Sequence, residues 1–151
     1  MTTSPRVDYV ASARRHLKDA AILKAADRQA NAGQLFGFSV ECALKATLVA
    51  TGAAVDSDGN LQGKKQGGAW REHMPRLGQL VMAATVLPDG RSASLLNGHL
   101  HHLPTLTTWH TDHRYFRTSA IPLATSLHGW EAAARNTDAL LDDMKAQGLL
   151  P

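Results

Sequence analysis

The sequence predicts an all-α protein, an antiparallel bundle of about five helices that forms a single domain over residues 1–151. Aromatic residues make up only 5% of the chain, while Ala and Leu dominate, a composition that favours helix over a β-sandwich. The stretch 33–51 is apolar on nearly every side when it is drawn as a helix, and such helices lie inside bundles. With 151 residues, the chain is long enough for one full core but too short for two.

The central helix carries one narrow polar stripe, made of Gln34, Gly37, Glu41 and Lys45. These positions are three or four residues apart, so they lie along one face of the helix. Charges inside a bundle are costly unless they are partnered. We therefore expect another part of the chain, or a second subunit, to meet Glu41 and Lys45.

The other helices follow from apolar periodicity and from turn signals. A first amphipathic helix is predicted from Ser4-Pro5 to about Gln29, followed by a turn over 31–33 into the central helix. Residues 53–69 are predicted to be a flexible, solvated loop because they are rich in glycine and charged residues. They contain no GxxxxGK[ST] motif, so a phosphate-binding loop is not predicted. Short helices are predicted over 73–85 and 92–103, and an irregular segment over 105–120.

The last helix is predicted over 122–147 from a stripe of apolar residues spaced by three and four. The stripe consists of Leu123, Leu127, Trp130, Ala134, Thr137, Leu141 and Met144. Lys145 in the last turn and Gly148 beyond it are helix stop signals.

Charge and targeting signals bound the function only loosely. The formal net charge of +3 permits an acidic partner such as RNA without requiring one. The N-terminus has no hydrophobic signal core and no apolar run reaches transmembrane length, so we expect a cytoplasmic protein that does not enter a membrane. The sequence indicates no cofactor.

Five clustered histidines invite a metal-site interpretation: His99, His101, His102, His110 and His113. Neither a cysteine pair nor an HExxH motif accompanies them, so we predict no metal site. Ser39 and Cys42 lie on the apolar helix without a nearby activating base, and we expect both to be core residues.

The segment 109–115 is the most informative part of the irregular segment 105–120 because it concentrates charged and aromatic groups. Arg114 is a candidate partner for Glu41 in a charge-assisted pair. Two interpretations stay open: the pair pins the segment to the bundle, or the same residues line a groove that binds a phosphate-bearing ligand or a protein partner. The candidate ligand- or partner-binding residues are Glu41, Lys45, Trp109, Asp112, His113, Arg114 and Tyr115.

The combination of AGQLFGFSVECALKATL, EHMPRLGQL and a Trp-x-x-x-x-Arg-Tyr segment resembles the small prokaryotic HEPN-domain family. The resemblance covers most of the chain, from about Asp8 to Met144, and is most specific at Val40–Lys45, followed by Trp109, Arg114 and Tyr115. It implies an antiparallel helical bundle, usually a homodimer. It also implies a protein that binds or cleaves RNA, or that pairs with a nucleotidyltransferase in toxin–antitoxin and phage-defence operons.

The sequence departs from the catalytic members of that family, which carry an Arg-x4–6-His motif. The nearest approach is Arg91, which has seven residues before His99. We therefore expect a non-catalytic module that binds RNA, a nucleotide or a nucleotidyltransferase. The alternative is a divergent metal-independent ribonuclease in which His99 or His113 is the general acid/base and Arg114 or Arg91 stabilises charge. A helical subunit that only assembles with another protein is a third possibility.

Overall fold

The computed structural model describes residues 4–62, 72–83 and 98–151 of the chain, and these residues form a helical bundle. The α-helices are α1 (Tyr9–Ala25), α2 (Gln29–Ala50), α3 (Arg76–Ala83) and α4 (Leu123–Ala146). Gly98 and His99 are helical as well. Within these three ranges the only β-type pairing is an isolated bridge between Val55 and Leu61. The predicted all-α bundle of about five helices is confirmed.

Helix α2 is the centre of the bundle and packs mainly against α1 and α4. Its buried residues point in every direction around the helix axis, as the apolar sequence predicted. They include Ala32, Phe36, Val40, Ala43, Leu44, Ala46 and Leu48. A helix enclosed in this way fixes the positions of the polar groups on its surface, because its neighbours leave it no room to rotate.

The sequence predicted that the first helix begins at Ser4-Pro5, but helix α1 begins at Tyr9. The cap is Asp8, whose Oδ1 accepts a 2.9 Å hydrogen bond from the Ala11 N–H. The residues before it are held elsewhere, because Val7 N donates to the Asp58 carbonyl over 2.9 Å and Arg6 binds the Asp58 carboxylate. The contacts of residues 6 and 7 with Asp58 therefore explain why the predicted first turn is not helical.

The turn between α1 and α2 lies at Ala26–Arg28, so its predicted position at 31–33 is wrong. Gly33 lies inside α2, at a point where the helix passes close to Trp130. A Cβ on Gly33 would lie 2.9 Å from the indole Cζ3, which explains the glycine at this position. The turn itself uses Asp27 at a φ of 58°. Asp is among the few non-glycine residues that adopt this left-handed conformation at modest cost. Here glycine indicates close packing rather than a chain reversal.

Residues 53–62, the described part of the predicted loop, form a turn built on Asp56. Asp56 Oδ1 accepts hydrogen bonds of 2.9 Å from the backbone N–H groups of Asp58 and Asn60. Leu61 is buried, and its backbone N–H donates to the Tyr9 hydroxyl over 2.9 Å. This turn joins the end of α2 to the start of α1. The rest of the loop, 63–69, lies outside the described residues.

Residues 103–120, the connector that leads into α4, consist largely of short 3-10 helices rather than irregular chain. They span Leu103–Thr108, Thr111–Tyr115 and Thr118–Ala120. Helix α3 starts three residues after the predicted boundary at His73. The first part of the predicted helix at 92–103 falls outside the described residues, as do residues 84 and 85.

Helix α4 confirms the predicted last helix within one residue at each end. Every residue of its predicted apolar stripe except Leu123 is buried. Ion pairs join α4 to α1: Arg14 contacts Asp138 at 2.9 Å and Asp142 at 2.7 Å, and Lys24 binds Glu131. In the ranges that the structure covers, no helix combines the length and the apolar character needed to cross a bilayer.

Candidate functional site

The polar stripe of α2 is met by two different segments of the chain. At one end, the Gln34 side chain donates its Nε2–H to the Thr111 carbonyl over 3.1 Å, and Gly37 lies against the indole of Trp109. At the other end, Glu41 and Lys45 lie beside His73. Of the two charges, Glu41 is met by another part of the chain, residues 73–74, and Lys45 pairs with Glu41 itself, whereas residues 109 and 111 meet the uncharged positions Gly37 and Gln34.

Glu41 is the most heavily bonded charged group of the stripe. Its Oε1 lies 3.0 Å from Lys45 Nζ, and its two carboxylate oxygens lie 3.0 and 3.1 Å from His73 Nδ1. The Met74 backbone N–H adds a contact of 3.4 Å. The Glu41 and Lys45 side chains are only 7% and 11% exposed, so this carboxylate is buried but satisfied.

Arg114 does not pair with Glu41, contrary to the interpretation of the sequence. Its guanidinium carbon lies 4.8 Å from the ring centroid of its neighbour Tyr115, and its side chain is exposed. His73 takes the place that we assigned to Arg114, because the chain before α3 passes directly over this part of α2. We call the cluster of Glu41, Lys45 and His73 the buried ion cluster.

The groups around the buried ion cluster are not those of a nucleophilic active site. Burial, with the Glu41 carboxylate nearby, raises the pKa of the Cys42 thiol to about 11, which keeps it protonated and unreactive. Ser39 is buried and donates its hydroxyl to the Ala13 carbonyl over 2.8 Å. Ser39 is therefore a core residue, as the sequence predicted, whereas Cys42 is only partly buried and packs against the edge of a small apolar cluster.

Trp109 anchors the connector to the bundle. Its indole is 1% exposed, and its Nε1–H donates to the Gly33 carbonyl over 3.0 Å. A Cβ on Gly37 would lie 2.0 Å from the indole Cε2, so glycine is required at this position of α2. Phe38 packs edge-on against the same indole, with ring centroids 5.4 Å apart. Trp109 is therefore a packing residue and does not face solvent.

His113 is a second internal anchor, one turn further along the connector. It is 9% exposed and lies against Trp130 and Phe116, with ring centroids 5.8 and 5.2 Å away. Burial lowers the pKa of His113, the nearby His110 lowers it further, and Asp112 opposes the shift. Its Nδ1 and the Oε1 of Gln34 are buried atoms with no hydrogen-bond partner among the described groups.

The residues after His113 form the most exposed aromatic surface of the described structure. Tyr115 is 74% exposed and Phe116 is 48% exposed, and the exposed arginines Arg114 and Arg117 flank them in sequence. We call the four residues Arg114, Tyr115, Phe116 and Arg117 the aromatic patch. Asp112 is exposed as well; its backbone N–H donates to His110 Nδ1 over 3.1 Å, at the start of the same 3-10 helix.

The histidines do not gather into one site. His99 Nε2 lies 2.6 Å from Asp143 Oδ2, and His101 and His102 pack ring against ring at 4.2 Å. No group of three or more His, Cys, Asp or Glu side chains with the spacing of a metal site occurs in residues 4–62, 72–83 and 98–151. Arg91, the candidate nearest to the HEPN catalytic spacing, lies outside the described residues.

The structure thus separates the residues that the sequence grouped together. Glu41 and Lys45 belong to the buried ion cluster, Trp109 and His113 are anchors, and Asp112, Arg114 and Tyr115 face solvent. Sequence reasoning missed His73, Phe116 and Arg117. The alternation Arg-Tyr-Phe-Arg was a visible signal for the last two, whereas nothing in the local sequence around His73 pointed to Glu41.

Comparisons with known proteins add no relationship. No family model, no curated protein and no solved structure matches this chain.

Proposed function

We propose that this protein is a non-catalytic helical module of the HEPN type that binds single-stranded RNA through the aromatic patch. The observation that carries the proposal is the exposure of Tyr115 and Phe116 between two arginines. Proteins that bind single strands combine aromatic rings, on which bases stack, with cations that contact the phosphates. RNA rather than DNA is what the HEPN resemblance implies.

The exposure of the aromatic patch, together with its buried neighbours in the chain, indicates a binding role rather than a packing role. Large apolar side chains exposed together on a soluble domain are typical of interaction sites. The patch directly follows the buried anchors Trp109 and His113, and Phe116 packs against His113 and donates its backbone N–H to the His113 carbonyl, so the start of the patch is supported. A rigid support lowers the entropy that is lost when a ligand orders the surface.

The charges at the patch favour a nucleic acid over an apolar protein partner. Arg114 and Arg117 have no carboxylate partner within 4.0 Å among the residues described, so both are available to a phosphate. A guanidinium close to a tyrosine ring, as Arg114 is to Tyr115, also contributes cation–π stacking to a bound base.

The biological setting that we propose follows the HEPN resemblance. In that setting the module is a homodimer that works with a nucleotidyltransferase partner in a toxin–antitoxin or phage-defence system. The mass of the purified protein in solution tests the homodimer, and co-purification with the product of a neighbouring gene tests the partner.

RNA binding is tested by fluorescence anisotropy with a labelled single strand of about 12 nucleotides. Tyr115→Ala is expected to weaken binding about tenfold, since stacking on one aromatic side chain contributes roughly 1–3 kcal/mol per base. Tyr115→Phe keeps the ring and is expected to bind as the unmodified protein does. Val55→Ala removes an exposed apolar side chain from the turn after α2, at 42% exposure, and serves as the matched control.

Equal affinities for the Tyr115→Ala and Val55→Ala proteins would contradict the proposal. So would a failure of the unmodified protein to bind any single strand. Intact RNA after incubation is the expected result for a non-catalytic module.

A divergent ribonuclease is the second candidate, and the His99–Asp143 pair is the observation that favours it. A carboxylate 2.6 Å from an imidazole nitrogen can fix the tautomer of a general acid/base. Loss of an observed cleavage activity in His99→Ala, but not in His113→Ala, would support this candidate. Cleavage that survives in both variants would assign the activity elsewhere.

A further inference from the structure

A charged groove lies between α1 and α4, and no residue of the aromatic patch lines it. Its volume is about 630 Å³, and its charged lining residues are Arg14, Arg15, Lys18, Asp19, Arg135 and Asp138. Four cations therefore face two carboxylates. The aliphatic side chains of Leu17 and Ala21 complete the lining on the α1 side.

The four cations are not equivalent. Arg14 is held by Asp138 and Asp142, and Arg135 donates to Glu131 over 3.1 and 2.8 Å. Arg15 donates to the Ser12 hydroxyl over 3.3 Å, and neither Arg15 nor Lys18 has a carboxylate within 4.0 Å in the described ranges. Arg15 and Lys18 are three apart on α1, so they lie on neighbouring positions of one face and are both exposed.

A polar pocket lies past the C-terminal end of α1, at the start of α2. It has a volume of about 230 Å³, and its lining includes Asp27, Arg28, Asn31 and Thr118. Thr118 directly follows Arg117 of the patch. Ala21, the last groove residue on α1, is four residues from the end of the helix at Ala25, a distance of roughly 6 Å along the axis. Helix α1 thus leads from Arg15 and Lys18 towards the pocket, and Thr118 joins the pocket to the patch in the chain.

We propose that Arg15 and Lys18 bind the phosphates of the same RNA strand whose bases stack on the aromatic patch, so that the ligand is an oligonucleotide and not a mononucleotide. This inference depends on the proposed RNA binding and selects between the two ligands, RNA and nucleotide, that the sequence left open. The two exposed cations supply phosphate contacts, and the polar pocket lies past the end of the helix that carries them. A single nucleotide is too short to engage both ends.

The prediction is tested by measuring affinity against strand length and salt concentration. Strands of about 3 nucleotides are expected to bind the patch alone, and strands of about 12 nucleotides to bind more tightly because they reach the groove. The double variant Arg15→Ala/Lys18→Ala is expected to weaken the long strand about tenfold and leave the short strand unchanged. It should also reduce the slope of log affinity against log salt by about 1.4, since each phosphate contact on a single strand contributes about 0.7.

Two further variants control for charge alone. Arg76→Ala removes an exposed cation from α3, outside the groove, and is expected to leave the length dependence unchanged. Asp19→Asn removes an opposing carboxylate from the groove lining and is expected to strengthen binding of the long strand a few-fold.

The outcomes separate this inference from the proposed function. If long and short strands bind equally and the double variant matches Arg76→Ala, the groove is not part of the RNA site, although the patch remains one. If neither strand binds the unmodified protein, the proposed function fails and the groove proposal fails with it.

Discussion

The buried ion cluster and the aromatic patch are both rich in charged and cyclic side chains, yet the structure gives them opposite environments. Glu41 is surrounded by donors from Lys45, His73 and the Met74 backbone, and it has little contact with water. Arg114 and Tyr115 contact each other and solvent. A buried charge is committed to the partners it already has, because losing one of them leaves an uncompensated charge, whereas cations and rings left open to solvent are available to a ligand.

Gly37 lies on α2 one turn before Glu41 and contacts Trp109, the anchor of the segment that carries the aromatic patch. Its replacement is expected to have the largest effect. The Cβ of Gly37→Ala would lie 2.0 Å from the Trp109 indole, so the anchor must move. Overpacking of this kind costs about 3 kcal/mol or more of the free energy of unfolding, and the displaced connector should also lose RNA binding. Urea unfolding and anisotropy measure the two effects. Gly98→Ala, where an added Cβ meets nothing within 4 Å, is the control.

An unchanged free energy of unfolding for Gly37→Ala would mean that Trp109 does not hold the connector. The position of the aromatic patch would then not depend on the packing of Trp109 against α2.

Glu41→Gln is expected to have the next largest effect, confined to stability. The substitution preserves the shape of the side chain but leaves the Lys45 ammonium without its counter-charge at 11% exposure. Removing one partner of a buried pair costs about 3–5 kcal/mol, and we expect roughly 2 kcal/mol here because His73 is 60% exposed and water can reach it. RNA affinity of the folded protein should not change.

Lys45→Met in the Glu41→Gln background removes the stranded charge and is expected to recover part of that loss. A loss of RNA affinity in folded Glu41→Gln would contradict the separation of the two regions, because it would make the ion cluster part of the binding surface.

The pH dependence of stability is the smallest expected effect and concerns the anchor His113. Its pKa in the folded protein is below the ordinary value of 6.5, so the folded state favours the neutral imidazole. The stabilisation is present above that ordinary value and is lost as the pH falls through the lower folded-state pKa. His16, whose pKa burial also lowers, contributes in the same direction.

Thermal melts between pH 7 and 5 in His113→Gln should therefore show a shallower loss of stability than melts of the unmodified protein. Glu131 has a lowered pKa and loses its contribution only below its ordinary value of 4.5, so it does not interfere in this range. A slope equal to that of the unmodified protein would mean that His113 does not titrate with unfolding.

The sequence predicted some parts of this molecule well because they depend on local pattern. Apolar spacing located α4 within one residue, and the all-round apolar character of 33–51 identified the central helix. Predictions that depended on single residues were less accurate. Glycine at position 33 predicts a turn, but in the structure it allows Trp130 to approach α2 closely. Ser4-Pro5 predicts a helix start, but residues 6 and 7 are bound by the turn at Asp58.

The sequence by itself determined the helical class, the central position of α2 and the need for a partner to Glu41, because periodicity and the cost of burying charge are local properties. Only the tertiary structure decided that the partner is His73 and that Tyr115 and Phe116 face solvent. Both depend on how distant segments cross α2 and α4. A contact between residues 32 positions apart, such as Glu41 with His73, leaves no pattern in the sequence on either side of it.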